Sequence, residues 1–258
     1  MMEEDSTILK QPVTPEYVLA VFNEWNRQDY EANYLREPPE LLTLATTIED
    51  WFFDDDFLTW SSVAHRMNNI WGLSIPRKEW KAVLSPVGKK TLAGVCQLIA
   101  RHARAPVIRE RSFFGKPCRP ASVFLTIRAM LQEAGVDVSE IRPSTSLEEY
   151  ARQHWELFWG DFTMLAPGAL PPCRFVRTPG QTLETACITI GAGMFVLGLV
   201  LGMIDPLILF FPLILCLLLL VRIFCFPALG PTYVYFGDLK TFRDLSETIA
   251  VHEAARIC

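Results

Sequence analysis

The 258-residue sequence lacks the local signatures of a metal, phosphate or covalent-catalysis site. No GxSxG, Walker-type or GxGxxG segment occurs. The four histidines, His65, His102, His154 and His252, are scattered, with no HExxH or other paired spacing, and read as surface or helix-face residues. Seven cysteines contain no CxxC pair and no Cys/His spacing suited to zinc. They read as small apolar residues in a reducing compartment. These absences lead to the expectation of no catalytic residues, no cofactor and no metal: a protein that is not an enzyme.

Charge is also missing from one long stretch. Between Thr185 and Val221 the only ionisable Asp, Glu, Lys or Arg is Asp205, followed by Pro206. A membrane span needs roughly 20 apolar residues, and Asp-Pro is a helix-breaking turn. The run therefore predicts a two-helix transmembrane hairpin within 181–230, with helices over about 185–204 and 206–226. Gly191-Ala192-Gly193 fits close helix packing there. Arg174 and Arg177 before the run and Arg222 and Lys240 at or beyond its end predict that both termini lie on the cytoplasmic side. The expected placement is an integral membrane protein touching lipid through 185–226. Asp205 reads as a turn residue in interfacial water rather than as part of an ion path.

Basic residues are scarce at the start of the chain. Residues 1–60 hold 14 Asp/Glu against 3 Lys/Arg, whereas residues 61–120 hold 12 Lys/Arg against Glu79 and Glu110. A basic segment of this kind forms solvated faces, lies against anionic headgroups or attracts an acidic partner. No nucleic-acid-binding motif accompanies it, so nucleic acid is not expected as a partner.

Elsewhere the apolar residues recur at helical spacing. Thr14-Pro15 reads as a helix start, followed by Tyr17, Val18, Val21, Phe22 and Trp25. Leu41 to Leu44 reads as a short turn. Trp60, Val63, Ala64, Met67, Ile70 and Trp71 predict a helix from Leu58 to near Gly72. A short helix is expected over Arg77–Leu84, then a break at Ser85-Pro86-Val87-Gly88, then a helix capped by Thr91 with Leu92, Val95, Leu98 and Ile99 on one face. In the second half, helices are expected over Ala121–Ala134 and Leu147–Leu165.

The two halves repeat this order. With Ile75-Pro76 placed over Leu170-Pro171, Trp60 falls on Trp155, Val63 on Phe158, Met67 on Phe162 and Ile70 on Leu165. The last helices match as Thr91, Leu92, Val95, Ile99, Ala100 against Thr241, Phe242, Leu245, Ile249, Ala250. A far longer chain separates Pro171 from Thr241 than Pro76 from Thr91, and the apolar run lies in the excess.

This order of helices resembles the acyl carrier protein family. Ile75-Pro76-Arg77-Lys78-Glu79-Trp80-Lys81-Ala82-Val83 is similar to the carrier segment after its second helix, and Thr91–Ile99 to its last helix. The resemblance covers about 12–105, and more weakly 118–172 with 238–252. It implies an all-α fold of two small acyl-carrier-like bundles, the second interrupted by the hairpin. The domains would be 1–107, then 108–180 and 231–258 as two parts of the second module, with 181–230 between them. The carrier's Asp-Ser-Leu signature is replaced by Asp56-Phe57-Leu58, so Phe57 stands where the phosphopantetheine-bearing serine would be. The equivalent position in the second copy is Arg152, followed by His154 and Trp155. Both copies resemble carriers that have lost the attachment serine. Ser61 and Ser62, one turn further on, are the alternative attachment points.

Asp54, Asp55 and Asp56 read as a helix-start cap that opposes the macrodipole rather than as a cation site, because consecutive carboxylates at a helix mouth point apart. Ser144-Thr145-Ser146 with Glu148-Glu149 resembles a capping box. Trp51, Phe52, Phe53, Phe57, Trp60, Trp71 and Trp80 read mostly as core, with 51–53 a docking patch if left uncovered. Together these point to a membrane-anchored, non-catalytic scaffold that engages a protein partner. One alternative is a membrane-bound acyl carrier of lipid or polyketide chemistry using Ser61 or Ser62. A small transport or channel subunit is the other.

Overall fold

A computed structural model describes residues 8–33, 40–51, 59–113, 115–176, 189 and 233–257. The chain divides into two compact units, Met1–Arg174 with Phe236–Cys258, and Phe175–Tyr235. In order, the elements are β1 (Lys10–Pro12), α1 (Pro15–Asn33), α2 (Ile48–Trp51), α3 (Trp60–Ile70), α4 (Arg77–Leu84), a 3-10 turn (Val87–Lys89) and α5 (Leu92–His102). They continue with β2 (Arg104–Pro106), β3 (Ser112–Phe113), β4 (Lys116–Pro117), α6 (Arg119–Glu133), α7 (Leu147–Gln153), α8 (Trp155–Trp159) and α9 (Asp161–Leu165). β5 (Cys173–Val176), β6 (Tyr233–Phe236) and α10 (Phe242–Ile257) complete them.

The expectation of an all-α fold is corrected by three two-stranded ladders, β1–β2, β3–β4 and β5–β6. Lys10–Pro12 runs antiparallel to Arg104–Pro106, so the start of the first half is tied to its end. Three-residue strands carry too few residues for period-2 alternation to register in a sequence.

The membrane expectation is corrected as well. Among the described residues no helix is long and apolar enough to cross a membrane. The hairpin at 185–204 and 206–226 falls, except for Thr189, outside the described residues, and the integral-membrane placement and lipid contact built on it lose their support. Among the described helices α1 is long enough, at 19 residues, but it carries Glu16, Glu24, Arg27 and Asp29.

The first half is organised around α1 and α5. Val18, Val21 and Phe22 meet Leu92, Val95, Cys96 and Ile99 in a core that also takes Val63, Met67, Trp80 and Leu84. Burial, with Glu16 adding to it, pushes the Cys96 thiol up to about 12 and keeps it protonated. The start of α2 is pinned to the start of α5: Ile48 N–H donates to the Lys90 carbonyl at 2.8 Å, Leu92 N–H to Thr46 at 2.9 Å and Ala93 N–H to Leu44 at 2.9 Å. Thr47 and Asp50 close a reciprocal cap at 2.7 and 3.0 Å.

The same construction recurs in the second half. Leu147 N–H donates to Lys240 at 2.9 Å, Phe242 N–H to Thr145 at 3.2 Å and Arg243 N–H to Pro143 at 2.7 Å. The bridge Thr47–Thr91 has its counterpart in Ser146–Thr241. Even the turn before it repeats: Thr43 N–H donates to the Thr46 hydroxyl and Arg142 N–H to the Thr145 hydroxyl, both at 2.9 Å. As α1 packs on α5, α6 packs on α10, with Val123, Ile127 and Leu131 facing a core of Phe242, Leu245 and Ile249, all six fully buried.

Two differences separate the halves. The expected single helix over Leu147–Leu165 is instead three short helices, α7, α8 and α9, broken at His154 and Gly160. A side chain at Gly160 would bring a Cβ to 3.0 Å from the Glu156 carbonyl. Among the described residues the second half also shows no counterpart of α4. After Pro171 the chain enters β5, and it returns through β6, where the Phe236 ring stacks on Phe158 at 5.5 Å.

The halves meet inside the first unit through α1. Trp25 Nε1 donates to the Trp159 carbonyl at 3.1 Å, the Tyr17 hydroxyl to the Met164 carbonyl and Arg27 to the Leu170 carbonyl at 2.6 Å. Arg27 also grips Glu24 through two hydrogen bonds of 2.8 and 2.6 Å, and Gln28 adds a third at 2.7 Å. Glu24 is 4 % exposed. Its charge is therefore compensated at the seam rather than by solvent.

Candidate functional site

Three of the residues singled out by sequence, Trp60, Ser61 and Ser62, form the first turn of α3. Thr59 is its N-cap: the hydroxyl accepts from Ser62 N–H at 3.3 Å and shares a hydrogen bond with the Ser62 hydroxyl at 2.9 Å. Val63, Ala64 and Met67 face the core, which leaves Trp60 half-buried at the rim. Ser61, also half-buried, is the next residue.

The loop after α3 delivers α4 to this rim. Asn68 holds it with three bonds, from its amide to the Ile75 carbonyl at 3.0 Å, from Ile75 N–H at 3.3 Å and from Trp80 Nε1 at 3.0 Å. Trp80 and Leu84 are buried, so Arg77, Lys78 and Lys81 are turned outward, and all three are exposed. Arg77 donates to the Ser61 hydroxyl at 2.6 Å. Its guanidinium lies 5.6 Å from the centre of the Trp60 ring, with the Lys81 ammonium at 5.9 Å. Both distances fall within cation–π range.

The two candidate hydroxyls therefore have structural duties: Ser61 holds Arg77, and Ser62 completes the cap. Asp54, Asp55, Asp56, Phe57 and Leu58 lie outside the described residues. Trp51 stacks on Phe22 at 4.9 Å and packs against the core. It is half-buried there, at the edge of the bundle core. Phe52 and Phe53 are outside the described residues.

In the second half, Arg152 lies on α7 and is half-buried. It forms an ion pair with Glu149, to which Gln153 also donates. Trp155 is 41 % exposed and meets Trp159 edge-on at 6.1 Å. Ser146, the N-cap of α7, makes no side-chain cap hydrogen bond. The reciprocal cap lies instead at α10. There the Asp244 carboxylate accepts from Lys240 and Thr241 N–H at 3.0 and 2.9 Å, and the Thr241 hydroxyl accepts from Asp244 N–H at 3.3 Å. Those backbone N–H groups hold the Asp244 carboxyl below its ordinary value.

The histidines are not brought together. His65 pairs with Asn69 at 3.1 Å, His102 lies 4.0 Å from Glu79 and His252 contacts the Pro167 carbonyl at 3.0 Å. Among the described residues no group of three His, Cys, Asp or Glu side chains is placed to share a metal ion. The Arg77–Lys81–Trp60 group was not legible as a site. Its signal was the spacing Trp60, Arg77, Lys81 once the Ile75-Pro76 turn folds α4 back on α3. No protein-family model matches this chain, and neither the curated proteins nor the solved structures yield a match.

Proposed function

We propose that the protein is a non-catalytic interaction module built on two copies of a degenerate acyl-carrier-like bundle. The observation that carries this reading is the occupancy of the attachment positions. Arg152 is an ion-paired arginine where the second copy would need a serine, and the nearest hydroxyls of the first copy, Ser61 and Ser62, are bound into the α3–α4 rim and the helix cap. A carrier arm must be attached to a hydroxyl that is free to be presented to the transferring enzyme. Ser61 instead ties α4 to α3, and Ser62 closes the cap of α3.

The test is intact mass after incubation of the full chain with a broad-specificity phosphopantetheinyl transferase and coenzyme A. The expected mass is unchanged. A gain of one arm that disappears in Ser61→Ala or Ser62→Ala would establish a working carrier and overturn the module reading.

A further inference from the structure

We infer that the outward face of α4 is a docking site for an acidic peptide segment of a partner protein. The inference rests on the interaction-module reading and names the surface that such a module would use. Arg77 and Lys81 are four residues apart on one helix, and Lys78 lies beside them. At 1.5 Å per residue this sets two cationic groups about 6 Å apart along the helix axis. None of the three has a carboxylate partner among the described residues. The one acidic residue of α4, Glu79, is turned toward His102 of α5. The basic face is therefore left uncompensated by its own helix.

The face is also oriented in advance. Arg77 is fixed by the Ser61 hydroxyl at 2.6 Å, and both cations lie against the Trp60 ring. A guanidinium held in this way loses less side-chain entropy when it receives a carboxylate, and its planar fork suits two-point binding. The half-buried Trp60 supplies an apolar floor on which the aliphatic part of a glutamate can rest. The segment that carries α4 is basic in composition: residues 61–120 hold 12 Lys/Arg against two Glu. The matching occupant is a peptide with carboxylates spaced about one helical turn apart. Among the described residues the second half shows no counterpart of α4 and hence no second copy of this face.

The experiment is a fluorescence-anisotropy titration of the full chain against a fluorescein-labelled peptide of four Glu-Ala-Ala-Ala repeats. The same peptide with Gln for Glu serves as reference. The expected result is saturable, salt-weakened binding of the Glu peptide that the Gln peptide does not reproduce. The double variant Arg77→Gln/Lys81→Gln should weaken it about tenfold, whereas Arg101→Gln/Lys116→Gln, with the same loss of charge, should change it by less than about twofold. Both pairs are exposed, and unchanged near-ultraviolet circular dichroism shows that each variant folds. Equal loss in the two double variants would reduce the effect to net charge and overturn the site. So would absence of binding, or tighter association with phosphatidylcholine/phosphatidylserine vesicles than with the peptide. The mass measurement above is independent: if the mass is unchanged and the peptide does not bind, this surface fails while the module reading stands.

Discussion

The two halves of the first unit solve the same packing problem with different parts. In the first half, α4 closes the bundle with Trp80 and Leu84, both fully buried, and Asn68 secures the turn before it with three hydrogen bonds. In the second half, the position matching Asn68 is Thr163, whose buried hydroxyl has no hydrogen-bond partner. Among the described residues no closing helix follows Pro171, where β5 begins instead, and Phe236 at the end of β6 stacks on Phe158. The turn that Asn68 secures internally is secured from outside: the Leu170 carbonyl, equivalent to that of Ile75, is held by Arg27 of α1. The first half is self-sufficient at this point, and the second depends on its neighbour.

Substitutions can break that asymmetry, and the largest effects are expected in the cores. Trp80→Ala should cost about 4 kcal/mol by opening a cavity under α4. Phe236→Ala should cost a similar amount but expose different amides. Hydrogen exchange should report loss of protection mainly in α1 and α5 for the first variant and in α6 and α10 for the second. Similar losses across both halves in both variants would show that they unfold as one.

Next in size is the seam. Arg27→Met leaves Glu24 buried without its cation and the Leu170 carbonyl without its donor, at a cost of about 2 kcal/mol after allowing for the partial exposure of Arg27. Urea denaturation should show it. If the second half is the dependent one, exchange should rise around Leu165–Leu170 before it rises in α5. Asn68→Ala should cost about 2 kcal/mol, because it orphans Trp80 Nε1 and the Ile75 turn together.

Smaller effects test the caps and the buried groups. Asp244→Ala should cost about 1 kcal/mol through loss of the α10 cap. Because the folded carboxyl titrates below its ordinary value, this contribution is complete above the unfolded value and is lost as pH falls through the folded one. The Tm difference between the two proteins should therefore shrink on acidification. Asp161 has the opposite sign. Burial, with Glu133 adding and Lys10 opposing, raises its carboxyl. The folded state then holds the proton more tightly, and stability falls as pH rises from the unfolded value through the folded one. Asp161→Asn should remove that fall and raise Tm at neutral pH relative to the native protein. Smallest is Thr163→Val, which should be neutral or stabilising by up to about 1 kcal/mol, since it replaces an unpartnered buried hydroxyl with a methyl of similar shape.

How much of this was legible depends on the kind of interaction. Helices with a sustained apolar stripe were readable: Arg77–Leu84 is seen at the expected bounds, and α1, α3, α5 and α6 within a few residues of them. The pairing of Thr91 with Thr241 showed in sequence because both begin a helix with the same buried spacing. The partners of those threonines did not. Thr47 and Ser146 sit in turns where hydrogen bonds to distant backbone, rather than local periodicity, set the conformation. α2 is too short to show a period. α7, α8 and α9 read as one helix because their apolar residues keep helical spacing across the breaks at His154 and Gly160. The rim of Trp60, Arg77 and Lys81 is a tertiary juxtaposition that depends on the angle of the Ile75-Pro76 turn, which spacing alone does not give. The apolar run at 185–221 lies, except for Thr189, outside the described residues, and the helices that are described are too short or carry too much charge to cross a membrane.

The ladder that replaces α4 also bears on how this chain can be edited. Pro172 and Gly237 are joined by a 3.0 Å hydrogen bond, and β5 and β6 are neighbours in one sheet, so the chain departs and returns at adjacent points. Such a junction tolerates exchange of whatever lies between its ends. Joining the ends of β5 and β6 through a short Asn-Gly turn would leave a compact chain in which Phe236 still reaches Phe158, and other cargo could be spliced into the same gap.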